Sequence, residues 1–279
     1  MLGVHENRQA TATKGGRAPE KRRDGGRSAG AILGFANRLL KLYRTERPRA
    51  VLVGWDALEA ATYRHDAFAD YQSGREFDDD LVEQLALIPK FVNACGFANA
   101  RRAGYEADDF LAAAASAEER RSGTALVASG DRDTFQLASA RTTILYPVRA
   151  GEMARIGPDE VRERYGVEPK QVPDFIALRG DPSDKLPGAL GVGAQGAAAL
   201  LRRYGSLLQA ERFARIAEDL RLYRAIATMN KKAPLPSLSN QNPTFAKAAT
   251  LARKWQLRQL AGRLEEMACE ERSDQAIQF

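Results

Sequence analysis

Thr124-Ala125-Leu126-Val127-Ala128-Ser129-Gly130-Asp131 is the stretch on which the fold turns. Its apolar residues run without alternation and are bounded by Thr on one side and Ser-Gly-Asp on the other. That pattern predicts a short strand buried on both faces. Strands of this kind belong to parallel sheets covered by helices.

The flanking sequence agrees. Ala50-Val51-Leu52-Val53-Gly54-Trp55-Asp56 is a second apolar run ending in an acid, and Thr142 to Tyr146 is a third. Between them, apolar residues recur at helical spacing. Ile32, Phe35, Ala36, Leu39, Leu40 and Tyr43 mark a helix from Ala29 to Tyr43, closed by Pro48. Leu81, Leu85, Ile88 and Val92 mark another from Asp79 to Cys95, and Ala107 to Ala117 is an Ala-rich third. Residues 63–80 are polar and aromatic and read as a loop or an irregular helical cover. Strands separated by helices predict a three-layer α/β fold with a parallel sheet. After about Gly157 the pattern turns helical, at 158–165, 171–179, 194–203 and 209–229. A Pro/Ser/Asn-rich loop follows at 233–244, then a last helix from Phe245 to Met267 with a fraying polar end. The expected organisation is a basic, disordered tail over 1–24, an α/β domain over 25–156 and a helical domain over 157–279.

Composition narrows the function classes. Of the 279 residues, 44% are hydrophobic and 28% charged, as in ordinary globular proteins. Lys and Arg number 42 against 36 Asp and Glu, a formal charge of +6. The excess is uneven: Met1 to Arg49 holds 12 basic and 4 acidic residues. A basic balance favours a nucleic-acid partner, although a solvated tail reads the same way. Cys95 and Cys269 lack metal-site spacing, which fits a reducing cytoplasm. There is no run of membrane-span length and no signal-peptide core.

Three groups of acids occupy comparable places. Asp56 ends a strand, Asp131 and Asp133 follow another, and Glu106, Asp108 and Asp109 open a helix after Gly104. Ligands of parallel α/β sheets bind beyond the carboxyl ends of the strands, so these acids are placed to converge. Two carboxylates about 4 Å apart repel by roughly 4 kcal/mol at an effective dielectric of 20, so a cluster needs protons or cations. All-oxygen ligands favour Mg²⁺ or Mn²⁺, and a pair of such ions suits phosphodiester cleavage. Each piece alone also has a structural reading, as helix-dipole compensation or as a solvated turn.

The most specific segment is Arg179-Gly180-Asp181-Pro182-Ser183-Asp184-Lys185-Leu186-Pro187-Gly188-Ala189-Leu190-Gly191-Val192-Gly193-Ala194-Gln195-Gly196. Gly188, Gly191 and Gly193 permit tight turns before the helix carrying Ala197 to Leu201. Exposed backbone N–H groups there suit a phosphate, and so read the sugar-phosphate backbone and not the bases. Arg202 and Arg203 add charge farther along, and Asp181 and Asp184 extend the acidic set.

Four motifs together resemble the 5′-to-3′ exonuclease and flap endonuclease family, the nuclease module also found at the N-terminus of bacterial DNA polymerase I. They are Tyr63-Arg64-His65 through Tyr71-Gln72-Ser73-Gly74-Arg75; Gly104-Tyr105-Glu106-Ala107-Asp108-Asp109; Ser129-Gly130-Asp131-Arg132-Asp133 with Gln136-Leu137; and Gly180 through Gly193. The resemblance covers about residues 24–208. It implies a PIN-like nuclease domain and a helix-hairpin-helix-type domain that grips duplex DNA; a monomer is the default expectation, in the cytoplasm and on the nucleoid when bound to DNA. It implies Mg²⁺, as two ions with Mn²⁺ as a substitute, and K⁺ at the hairpin turn. The DNA partners it implies carry 5′ ends, flaps or nicks. Asp56, Glu106, Asp108, Asp109, Asp131, Asp133, Asp181 and Asp184 match the family's metal-site acids. Tyr71 and Arg75 match positions near the scissile phosphate and its entry arch, with Tyr71 as a platform for an unpaired base; Arg64 is a further catalytic candidate that, like Arg75, can supply the charge a glutamine at position 72 lacks. Gln72, Gly188, Gly191, Val192, Gly193, Gln195, Arg202 and Arg203 fall where DNA is held.

The chain departs from that family at three places. Family members begin with a strand ending in Asp, whereas Met1-Leu2-Gly3-Val4-His5-Glu6-Asn7 shows neither the apolar strand nor the Asp, as if the reading frame started late. Gln72 stands where many members carry lysine, and Gln195 where many carry a basic residue. The leading reading is an active nuclease. The second is a branched-DNA binder with weakened chemistry, and an RNA-directed nuclease ranks below both.

Overall fold

The computed structural model describes the backbone of residues 2–4, 23–24, 27–57, 60–72, 78–206 and 215–277, with side chains for these except 2–4, 23–24, 27–28, 150 and 274–277. In chain order the elements are β1 (Leu2–Val4), β2 (Arg23–Asp24), β3 (Arg27–Ser28), α1 (Gly30–Glu46), β4 (Val51–Gly54), α2 (Tyr63–Ala67), α3 (Asp79–Ala94), β5 (Ala98–Ala100) and α4 (Ala107–Arg120). Then come β6 (Ala125–Ala128), β7 (Thr142–Pro147), β8 (Met153–Ile156), α5 (Pro158–Tyr165), α6 (Val172–Arg179), α7 (Ala194–Tyr204), α8 (Ala217–Ala227), α9 (Phe245–Lys254) and α10 (Arg258–Ile277).

The chain forms two compact units. The first takes Met1–Asn7, Gly54–Arg75 and Ala100–Leu235. Here β6 pairs in parallel with β1, Leu2 opposite Leu126, and with β7, Ala125 opposite Thr142. The apolar run that opened the sequence reading is thus a central strand, with Val127 fully buried. β8 closes this side antiparallel to β7. α4 packs against β6 and buries Phe110, Leu111, Ala112 and Ala114. In the same unit, α6, α7 and α8 enclose a second core of Phe175, Leu178, Ala189, Val192, Ala197, Leu201 and Leu220.

The second unit takes Arg8–Val53, Glu76–Asn99 and Pro236–Phe279. α3 packs on α1 and α9, and α9 packs on α10. Tyr43, Phe97 and Phe245 meet ring to ring at 5.3, 5.3 and 6.1 Å between centroids. Gln241 ties down the first residue of β4, accepting from the Val51 N–H at 2.8 Å and donating to its carbonyl at 3.1 Å.

Several expectations need correction. The N-terminal stretch does contain a strand, β1, although Gly3 interrupts its apolar run. The last helix is two helices, broken at Trp255–Leu257 where Gln256 adopts φ 64°, and the second continues to Ile277 instead of ending near Met267. Within 63–80 a short helix, α2, forms. The expected disordered tail over 1–24 lies mostly outside the described residues, as does Arg75.

Candidate active site

The site residues that are described all belong to the first unit, and one glycine brings Asp56 to the start of α4. Gly54 ends β4 so close to the start of α4 that a Cβ there would sit 2.6 Å from the Ala107 carbonyl oxygen. Only glycine fits without a shift. This approach lets Asp56 Oδ1 accept from the Ala107 N–H at 2.8 Å, placing one acid on the free N–H groups at the helix start.

Glu106 caps the same helix. Its carboxylate accepts from Thr62 Oγ1 at 3.1 Å and from the Tyr71 hydroxyl at 3.1 Å, and lies 3.2 Å from Arg64 Nη1. Burial pushes its carboxyl up to about 7; Arg64 and Thr62 oppose the rise, while Asp56 and Asp109 add to it.

Asp108 and Asp109 are neighbours with opposite surroundings. Asp109 is fully buried. Its Oδ1 accepts from Arg64 Nη2 at 2.8 Å, the Asn230 N–H at 2.8 Å and the Tyr63 hydroxyl at 3.3 Å. Its Oδ2 accepts from Arg64 Nη1 at 3.0 Å and the Glu106 N–H at 3.1 Å. Both oxygens are therefore engaged by protein donors. Arg64 is only 3% exposed and also donates from Nε to the Ile226 carbonyl at 2.8 Å. Burial works against its charge, but Glu106 and Asp109 override it and hold the guanidinium well above its ordinary range. Asp108 is half-buried on the other side, where its charge bears on Asp133.

Beyond β6 the chain makes a tight 3₁₀ turn, Arg132–Leu137. Asp131 Oδ1 accepts from the Asp133 N–H at 2.9 Å, and Ser129 Oγ accepts from the Asp131 N–H at 3.0 Å. Burial raises the Asp133 carboxyl well above the carboxylate range, and Asp131, Asp184, Asp181 and Asp108 push it further. Asp131 from the same turn and three acids remote in sequence thus act on one. Asp181 pairs back to back with Leu186 through two backbone bonds, 2.9 and 2.8 Å, closing the loop that presents Asp184.

The Gly-rich segment folds as a hairpin between α6 and α7. Gly188, at φ 73°, lies so near the backbone that a Cβ would fall 2.4 Å from the Gly180 nitrogen. Gly191, Gly193 and Gln195 are exposed around the α7 N-terminus, and Leu190 is 99% exposed at the tip. Val192 points the other way, into the core. Arg202 reaches the Gly166 carbonyl at 3.1 Å, and Arg203 lies over the Tyr204 ring, 5.1 Å from its centroid.

Tyr71 is 3% exposed, edge-on to His65 at 5.2 Å, so its ring is not a free stacking platform here. Gln72 joins the acids, with Nε2 2.7 Å from Asp184 Oδ1. Sequence reasoning did not assign Thr62, Tyr63, Gln136 or Asn230. Gln136 donates to the Ala227 carbonyl and accepts from the Met229 N–H, at 2.9 and 3.0 Å, tying the end of α8 to the Asp131 turn. Its place beside Leu137 in the third motif was the available signal.

The carboxylates suit a hard divalent cation by donor type and by the repulsion concentrated on Asp133. Among the described residues, no group of three His, Cys, Asp or Glu side chains is arranged to hold a metal ion as it stands. No described helix is long and apolar enough to cross a membrane.

Two regions of the chain match known families. Residues 12–166 match the model of the 5′-3′ exonuclease N-terminal resolvase-like domain, and residues 167–249 that of the 5′-3′ exonuclease C-terminal SAM fold. DNA polymerase I of Mycobacterium tuberculosis is 39% identical over 185 residues, 66% of this chain and 20% of that protein. Thermostable DNA polymerase I of Thermus thermophilus is 42% identical over 178 residues, 63% of this chain and 21% of that protein. The chain therefore spans about a fifth of the length of these relatives. Among solved structures, T5 5′-exonuclease with bound zinc has the same fold, at TM-score 0.64 and 15% identity, covering 89% of this chain and 93% of that one. The catalytic core of Rad2 with DNA substrate aligns at TM-score 0.54 and 13% identity, covering 86% and 84%. The chain belongs to the 5′-3′ exonuclease family.

Proposed function

We propose that this protein hydrolyses DNA phosphodiesters near 5′ ends and at 5′ flaps, with Mg²⁺ held by Asp56, Glu106, Asp108, Asp131, Asp133, Asp181 and Asp184. The single observation that carries the reading is Asp133, a carboxyl on which Asp131, Asp184, Asp181 and Asp108 all act. A group of acids this crowded is costly unless a cation is part of its working state. When bound, such ions activate water and stabilise the leaving oxygen.

The chain's own residues do the rest. Asp109 and Arg64 form a buried clamp that fixes the start of α4, and with it Glu106 and Asp108. Tyr71 holds Glu106 from the other side. The exposed amides at the α7 N-terminus, with Gln195 and the Gly188–Gly193 turn, suit backbone phosphates of duplex DNA. The functional division we propose is a nuclease part over 25–156 and a helical DNA-binding part from 157 onward. K⁺ at the hairpin turn is the finer expectation that goes with it.

A second reading has its own observation. β1 ends at Val4 and the next residues are His5 and Glu6, where the family has Asp. That loss favours a branched-DNA binder with weak chemistry. Incubation of the full chain with a 5′-flap duplex and Mg²⁺ or Mn²⁺ decides between them. The nuclease reading requires cutting that an Asp131→Ala/Asp133→Ala variant loses; binding without cutting selects the second reading.

A further inference from the structure

We infer that Gln72 is a positioning residue: its side-chain amide fixes one oxygen of Asp184 and, through the Tyr71 hydroxyl, couples that carboxylate to Glu106. The inference rests on the nuclease reading above and adds a residue to its machinery.

The bonds are specific. Gln72 Nε2 lies 2.7 Å from Asp184 Oδ1 and 2.9 Å from the Tyr71 oxygen. An amide NH₂ has two hydrogens, one for each acceptor. The Tyr71 hydroxyl has one hydrogen, which goes to Glu106 Oε2 at 3.1 Å, so its lone pair receives Gln72. Glu106 Oε2 in turn faces Arg64 Nη1 at 3.2 Å. A continuous series of side chains thus runs from the buried clamp under α4 to the loop after α6, joining residues 112 apart in sequence at the Gln72–Asp184 bond.

Backbone conformation supports the assignment. Gln72 sits at φ 47°, in the left-handed region that disfavours a side chain. Such a residue persists where its surroundings determine it, and these positions concentrate at functional sites.

The chemistry of the amide explains what glutamine does here. A lysine at position 72 would also reach Asp184, but would bring a full positive charge into the acidic group. The amide orients the carboxylate and leaves its charge for a divalent cation. Gln72 therefore acts on cation affinity and on the placement of Asp184, and touches no reacting atom.

The test uses the full chain without DNA. Mn²⁺ binding is measured by titration calorimetry for the wild type, Gln72→Leu, Gln72→Asn and Gln72→Lys, with thermal unfolding of each recorded. Gln72→Leu removes the amide, and Gln72→Asn withdraws it by one methylene. Both should weaken Mn²⁺ about tenfold, the worth of one hydrogen bond to a charged group. Gln72→Lys should weaken it further, with a loss that shrinks as salt rises. In flap cleavage, Gln72→Leu should lower kcat and leave KM unchanged. If Gln72→Leu fails to fold, Gln72→Asn and Gln72→Lys decide. Folded variants that bind Mn²⁺ like a wild type that also cuts overturn the assignment and leave the nuclease reading standing. A wild type that neither binds Mn²⁺ nor cuts overturns both.

Discussion

Replacing Asp109 by alanine should unfold far more of this protein than replacing its neighbour Asp108, although both stand in one Glu-Ala-Asp-Asp run. Asp109→Ala leaves Arg64, 3% exposed, as a buried cation without its bidentate partner. It also strands the Asn230 and Glu106 N–H groups. Breaking a buried ion pair from one side costs about 3–5 kcal/mol. For a chain of this size that is a fall in Tm of roughly 10 °C. Asp108→Asn removes one of the charges crowding Asp133, so stability should hold or rise. Urea and thermal unfolding of the two variants in EDTA provide the comparison. A third variant, Arg64→Met/Asp109→Leu, should recover part of the loss, because a buried pair can be replaced by apolar packing. The clamp reasoning is refuted if Asp109→Ala costs less than about 1 kcal/mol, or if the double variant is no more stable than Asp109→Ala.

Further outcomes follow from the same geometry. Glu106 has its carboxyl raised from 4.5 to about 7 and its side chain is 15% exposed. The folded state holds this proton more tightly than the unfolded state, so metal-free stability from this group is retained below about pH 4.5. It is lost as pH rises to 7, by something on the order of 3 kcal/mol. Urea unfolding at pH 5 and pH 8 should show that slope in EDTA, flattened by Glu106→Gln and by saturating Mg²⁺; an unchanged slope in Glu106→Gln would assign the effect elsewhere. Gly54→Ala puts a methyl 2.6 Å from the Ala107 oxygen, and should cost about 1–3 kcal/mol while displacing Asp56. Wild-type stability would show that the approach of Gly54 to the start of α4 adapts freely.

How much was legible in the sequence depended on how local the determining contacts were. Val51–Gly54 and Ala125–Ala128 read as buried strands because their apolar runs need only the sheet around them. β8 escaped because Met-Ala-Arg-Ile mixes a charge into an edge strand, and β1 because Gly3 breaks the run. The break after α9 has no Gly or Pro to announce it; Gln256 takes the left-handed turn instead. The acids were legible as a set because they sit at strand ends and helix starts. Their division of labour was not. Successive helical residues point about 100° apart, so Asp108 and Asp109 face different surroundings. Which one is buried depends on Arg64 and Asn230, both remote in sequence. The burial of Arg64 and Tyr71 was hidden for the same reason.

The most direct measurement is single-turnover cleavage of a 5′-flap duplex by the wild type and by Asp133→Asn in Mg²⁺, with DNA affinity measured in parallel in Ca²⁺. If the acids perform the chemistry and the hairpin of α6 and α7 holds the DNA, Asp133→Asn should cut at least ~10²-fold more slowly, as when one transition-state contact is lost, and bind the flap unchanged. Equal cutting by the two proteins would contradict the account, and so would a wild type that binds the flap and never cuts it.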